Sequence, residues 1–286
     1  MRNYRFLSAL TALPMLFAVP ALAVECTGEQ GSCDVDAHNR AEAAAPVERG
    51  DVANALLDAL EAHPELRQQL ARMVSKGIQE NQEIDHAAAV ERAMHDETAP
   101  FVGNKDGKVV IVEYFDNRCP YCKALAPLLA RALAEYPDVK LVYKEFAVLG
   151  PQSQAITRAA LASQKQGKYL AFHDELMRDP LEEKDPFTDA HLFEVAQKAG
   201  LDVAMLKTDM ASGETSARMT ALANEGRVVG IHGTPGLLIN GKIVSVVAGV
   251  TADQFKATGK IIDEAKTYEN IKAAIFGARA ARDKAA

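Results

Sequence analysis

Hydrophobic and polar positions follow several different periods along this chain, and each period predicts a different element. The most continuous apolar block is VVIVEYF, residues 109–115 of GKVVIVEYFD. A strand that is apolar at almost every position suits the middle of a sheet with both faces covered. VKLVYKEFAVL, beginning at Val139, predicts a second strand. Between them, PYCKALAPLLARALAEY has apolar residues at helical spacing. It opens on Pro120, where a missing N–H costs nothing, and it contains Pro127, which predicts a kink. The three pieces read as one β-α-β unit. From about residue 153 to 229, SQAITRAALASQKQ, KYLAFHDELMR, DAHLFEVAQKAG and DVAMLKTDM predict consecutive helices punctuated by Gly and Pro. GIHGTPGLLINGKIVSVVAG then predicts two strands joined at Asn240-Gly241, a pair favoured in tight hairpins. TADQFKATGKIIDEA predicts a last amphipathic helix with Thr251 as its cap. Beyond Tyr268 little in the pattern fixes a structure, so the end of the chain is expected to prolong that helix or to fray.

Upstream of the β-α-β unit the pattern is helical but narrower. Val52, Leu56 and Leu60 stand four apart. A second helix is expected to start at Pro64 and to carry Leu66, Leu70, Met73 and Val74 on one stripe, and QEIDHAAAVERAMHDE predicts a third. Such stripes must be covered by something outside their own helix. The next domain could cover them, but self-association is the preferred reading, because the segment precedes a complete domain. Residues 24–46 are small and polar, a linker holding Cys26 and Cys33. Residues 1–23 have two arginines, no acid, a short apolar run and Ala21-Leu22-Ala23. These features predict a cleavable secretory signal peptide. No later stretch is long and apolar enough to span a bilayer.

Charge and cysteine content narrow the function. The 286-residue chain has a net charge of -7 and no basic stripe, a poor match for nucleic acid or anionic lipid. Its length suits one ordinary domain plus added elements. Export permits disulfides, which puts weight on Cys119-Pro120-Tyr121-Cys122. Zinc normally takes four ligands, and here a single C-x-x-C stands far from the differently spaced Cys26 and Cys33. Haem attachment needs His where Lys123 stands. A purely structural bond would close too small a loop to stabilise much. A redox centre fits better, with no metal and no cofactor. Cys119 begins a helix, where unpaired N–H groups and the dipole favour a thiolate, the nucleophilic form. Cys122, one turn later, is placed to resolve a mixed disulfide. Asp116 is expected in an exposed turn and His232 in a surface loop. Gly233-Thr234-Pro235-Gly236 reads as a tight turn before a strand. Cys26 and Cys33 flank TGEQGS, and a local structural disulfide is expected. Cross-links between subunits, or exchange with the Cys119–Cys122 pair, are the alternatives.

VEYFDNRCPYCKALAP followed far downstream by GIHGTPGLLINGK resembles the periplasmic DsbA-like branch of the thioredoxin superfamily, over roughly residues 99–265. LLDALEAHPELRQQL more loosely resembles the N-terminal oligomerisation segments of the suppressor-of-copper-sensitivity C-type and Com1-type members. The resemblance implies an α/β protein: a thioredoxin fold over residues 99–268 with a helical insertion at about 153–229, preceded by an oligomerisation segment at 47–98 and followed by a tail at 269–286. It implies a cis bond at Thr234-Pro235 facing the cysteines, and a substrate contact built from Thr234, Pro235, Pro120 and Tyr121. Glu113, six residues before Cys119, reads from the pattern alone as a strand-end acid reaching solvent; the resemblance implies a buried proton relay. The implied function is a periplasmic thiol-disulfide oxidoreductase acting on exported proteins with cysteines and recycled by a membrane redox partner. The oligomerisation segment and Thr234 lean it toward a homo-oligomeric isomerase or reductase. A dithiol oxidase is the alternative, and a periplasmic copper- or zinc-binding protein is the alternative of another class.

Overall fold

The computed structural model describes residues 49–179, 188–247 and 249–285. Cys26, Cys33, the expected signal peptide and the linker lie outside the described residues. The chain divides into two compact units, Met1–Leu70 and Ala71–Ala286. In the first, α1 (Arg49–Ala62) is followed by the opening turns of α2 (Pro64–His95). Val52, Leu56, Leu57, Leu66 and Leu70 are all exposed there. The sequence suggested a break within α2; none occurs, because QENQEI contains neither Gly nor Pro to end a helix.

The second unit is built on a five-stranded sheet of order β1-β3-β2-β4-β5. The strands are β1 (Phe101–Gly103), β2 (Val109–Phe115), β3 (Val139–Glu145), β4 (Gly236–Ile239) and β5 (Lys242–Val244). β2 and β3 are parallel and joined through α3 (Pro120–Glu135); the other pairings are antiparallel. β1 is three residues long, too short for its alternation to register in the pattern. Asn240 and Gly241 both take positive φ, 44° and 77°, as a two-residue hairpin turn requires.

Central β2 is covered on both faces. Val109 and Ile111 pack with Leu125, Leu129, Leu141, Ile271 and Ile275. Val112 and Tyr114 pack with Val142, Phe146 and Leu238, and with Ala89, Val90 and Ala93 of α2. The end of α2 and the segment beyond Tyr268 therefore both belong to this core. That segment lies in α10 (Glu264–Ala285), whose Ile271 and Ile275 are fully buried, and Arg279 pairs with Asp138. The expected single final helix is split: α9 (Ala252–Thr258) closes on left-handed Gly259, and α10 starts afresh. The insertion comprises α4 (Pro151–Ser163), α5 (Tyr169–Arg178), α6 (Asp189–Lys198), α7 (Val203–Met210) and α8 (Gly213–Val228). Its own core holds Ile156, Phe172, Leu176, Leu192 and Leu206. Fully buried Lys144 is paired to Asp96 at 2.7 Å and Glu225 at 3.1 Å, which ties the end of α2 and α8 to β3. Without both carboxylates that ammonium would be too costly to bury.

A candidate dithiol site at the end of the central strand

β2 runs out at Phe115, and after a three-residue turn the chain enters α3 with Cys119 as its N-cap. Pro120 occupies the first helical position, so no N–H is wasted there. Cys119 is 4 % exposed and Cys122 is fully buried. Both are free thiols, packed against Phe115, Tyr143 and Met177. β4 begins directly after the Thr234-Pro235 bond, which is cis. Pairing of Tyr114 with Gly236 and of Glu113 with Leu237 brings that bond alongside the end of β2. The Cys119 thiol donates to the Thr234 carbonyl at 3.4 Å. Thr234, Pro235 and His232 line a groove of about 630 Å³ together with Tyr121 and Ile243.

The two sulfurs are electrostatically unlike. The Cys122 thiol stabilises a Cys119 thiolate, and the N–H groups of Cys122 and Tyr121 add to it, so Cys119 falls from 9.0 to about 6 despite its burial. Burial pushes Cys122 well up, and the neighbouring Cys119 and Glu113 charges reinforce it. Cys119 is thus drawn toward the thiolate and Cys122 toward the thiol.

Glu113 is buried and does not reach solvent, as its place in the pattern alone had allowed. Its Oε1 has no hydrogen-bond partner among the described residues. Burial, then charge at Cys119 and Glu145, raises it from 4.5 to about 8. Folded protein thus holds this proton more tightly than unfolded chain. The stability this contributes is complete below about pH 4.5 and is lost as pH rises through about 8. Glu113→Gln should flatten that decline, by on the order of a few kcal/mol across the window. Thermal melts from pH 4 to 9 check it: the gap between variant and unaltered protein should move in the variant's favour at high pH. A gap that is constant with pH would refute the assignment.

Asp116 departs from expectation. It is fully buried, not in an exposed turn. Its carboxylate accepts from the Arg118, Val148 and Leu149 amides and from the Ser153 hydroxyl, at 2.9–3.1 Å. His232 is exposed, as expected for a surface loop. Four more polar groups near the cysteines went unnoticed in the sequence. Glu145 is buried at the end of β3, and Tyr169 and His173 are buried on α5. Lys123 donates to the Leu176, Met177 and Asp179 carbonyls at the end of α5. A lone acid closing an apolar strand was the one available signal for Glu145. His173 is lowered to about 4 by burial and then by Lys123, and Lys123 itself is lowered to about 8 by burial. Among the described residues no cluster of three or more His, Cys, Asp or Glu could hold a metal ion.

Contact between a cis peptide bond and a helix-capping cysteine, on a parallel β-α-β frame, defines the dithiol class of the thioredoxin fold. The chain belongs to the thioredoxin family, whose profile matches residues 95–276. That span includes Ile271 and Ile275 of α10, in line with their place in the core. A thioredoxin-like oxidoreductase of known structure from Silicibacter pomeroyi is 32 % identical, with a TM-score of 0.50, over 58 % of this chain and 93 % of that one. Proteus mirabilis ScsC, at 22 % identity and a TM-score of 0.54 over 80 % of this chain and 97 % of that one, shares the fold. An Na(+)/H(+) antiporter NhaA 3 of Salinispora tropica is 28 % identical over 142 residues, 49 % of this chain. The chain spans only 21 % of that antiporter's length.

Proposed function

We propose that the chain is a thiol-disulfide oxidoreductase of exported proteins, with Cys119 as nucleophile, Cys122 as resolving thiol and Glu113 as the base between them. The supporting observation is the asymmetry of the pair: a thiolate-prone Cys119 beside the cis-proline loop, and a buried, proton-holding Cys122 behind it. The Cys119 thiolate attacks one sulfur of a substrate disulfide, and the other sulfur leaves as a thiolate that takes up a proton. Glu113 removes the Cys122 proton, and Cys122 attacks the Cys119 sulfur, breaking its bond to the substrate, whose remaining sulfur leaves as a thiolate and is protonated. The pair is left oxidised and the substrate reduced. Read backwards, the same steps oxidise a substrate dithiol. When another substrate cysteine releases Cys119 instead, the substrate is isomerised with no net redox change.

The cis-proline loop is the substrate contact in this reading. Thr234, Pro235 and Tyr121 line the groove, Pro120 precedes Tyr121 at the start of α3, and backbone groups before β4 suit an extended peptide. The setting is periplasmic, with a membrane redox partner resetting the pair. Among the described residues no helix is long and apolar enough to cross a membrane. Exposed Leu56, Leu66 and Leu70 support self-association through the first unit, and with it an isomerase or reductase in preference to an oxidase.

Turnover tests the reading. The full chain should catalyse insulin reduction by dithiothreitol and the refolding of a scrambled disulfide substrate. Absence of both activities would sink it. Leu56→Asp with Leu66→Asp should lower the mass by light scattering, spare insulin reduction and depress refolding. Refolding that is indifferent to those changes would leave an oxidase as the better account.

A further inference from the structure

Glu145 is a buried acid whose hydrogen-bond shell, among the described residues, holds no cation. Its Oε2 accepts from Asn117 Nδ2 at 2.8 Å and from Thr157 Oγ1 at 3.0 Å, and its Oε1 accepts from the Tyr169 hydroxyl at 2.9 Å. Asn117 is itself buried, in the turn that delivers Cys119. The Cys119 amide donates back to the Asp116 carbonyl at 2.9 Å, closing that turn. Glu145 therefore reaches the nucleophile through one side chain and two residues of backbone.

Strand register adds a second relation. Glu113 pairs with Tyr143, and Phe115 pairs with Glu145, on parallel strands. Paired residues share a face, so Glu113 and Glu145 are diagonal neighbours on one side of the sheet, about 8 Å apart between Cα atoms by strand separation and rise. The charged and titratable groups around them are Asp116 from the turn, Tyr143 from β3, Tyr169 and His173 from α5, Lys123 from α3, and the two cysteines. Lys123 spends its donors on the carbonyls of α5. Burial lifts Glu145, as it lifts Glu113, to about 8. Two carboxylates at this range in a dry interior repel enough to separate their titrations by about one to two pH units.

We propose that Glu145 is a positioning residue of the exchange reaction, fixing the turn that presents Cys119 and taking up and releasing protons as a coupled pair with Glu113. This rests on the oxidoreductase reading above, but its test does not require turnover. The reduced full-length protein is titrated while the side-chain carboxyl carbon of Glu113 is followed by NMR, the resonance being assigned by its loss in Glu113→Gln. Unaltered protein should show a titration spread over more than one proton's width. Glu145→Gln should narrow it, leaving only the coupling to the thiols, with its midpoint lower by about one pH unit. Thr157→Val removes a donor to Glu145 and so keeps it protonated; it should move the Glu113 midpoint the same way by less. This second variant carries the test if Glu145→Gln fails to fold. A Glu113 midpoint unchanged to within about 0.2 pH units in the folded variants overturns the pairing. Insulin reduction by the unaltered protein, run alongside, reports on the parent reading separately.

Discussion

Cys119→Ser is expected to take insulin reduction to the background rate, while Cys122→Ala is expected to trap substrates on Cys119 as mixed disulfides. The asymmetry of the thiols is the reason. At pH 7 a thiol drawn from 9.0 to about 6 is roughly nine-tenths thiolate, against about one-hundredth at the ordinary value. Lower basicity weakens each thiolate as a nucleophile and takes back most of that gain, leaving several-fold. The larger benefit comes when Cys119 leaves, since a weakly basic thiolate departs more readily. Cys122, fully buried and held protonated, cannot stand in for it. Alkylation of the reduced protein with iodoacetamide, followed by peptide mapping, checks the order: Cys119 should react first, with a rate rising through about pH 6. Faster labelling of Cys122 in the native protein would reverse the two roles.

The second large effect belongs to Asp116. Asp116→Ala should destabilise the α/β unit by about 3 kcal/mol, seen as a lower urea midpoint. The change strips acceptors from the Arg118, Val148 and Leu149 amides and from buried Ser153 at once. Water reaches part of this loop, as Val148 and Leu149 are 42 % and 45 % exposed, so the loss should stay below the sum of four stranded donors. Activity should fall as well, because the same turn sets the Cys119 amide. Asp116→Asn tests the cause: it keeps one acceptor but introduces donors facing amides, so it should recover only part of the loss. Full recovery by Asn would mean that shape, not acceptor capacity, is what Asp116 supplies.

Much of the frame was legible before any coordinates. The run at 109–115 became the central strand because seven nearly apolar residues must be covered on both faces. Pro120 fixed the start of α3 and therefore the place of Cys119 at its cap. Asn240-Gly241 set the hairpin, since few other pairs accept two positive φ values. A cis Thr234-Pro235 bond was expected through resemblance; the bond is cis, and the Thr234 carbonyl accepts from the Cys119 thiol. Each of these signals is local, or depends only on which residues are apolar.

Burial of Glu113 was legible only through the resemblance, and that of Asp116 and Glu145 was not legible, for a physical reason. An acid is buried when distant segments supply its donors, and the sequence next to the acid does not reveal them. Asp116 read as a turn residue until Val148, Leu149 and Ser153 were seen to converge on it. Glu145 is held by Asn117, Thr157 and Tyr169, drawn from three separate elements. The end of the chain shows the same limit for apolar groups. Ile271 and Ile275 are too sparse to announce a core helix, and only the sheet face left open beside α3 gives them somewhere to go. The central strand, the dithiol at its end and the class of chemistry follow from local pattern and motif. The burial of Asp116 and Glu145 around that dithiol depends on tertiary contacts, because most of the donors that make it tolerable come from far along the chain.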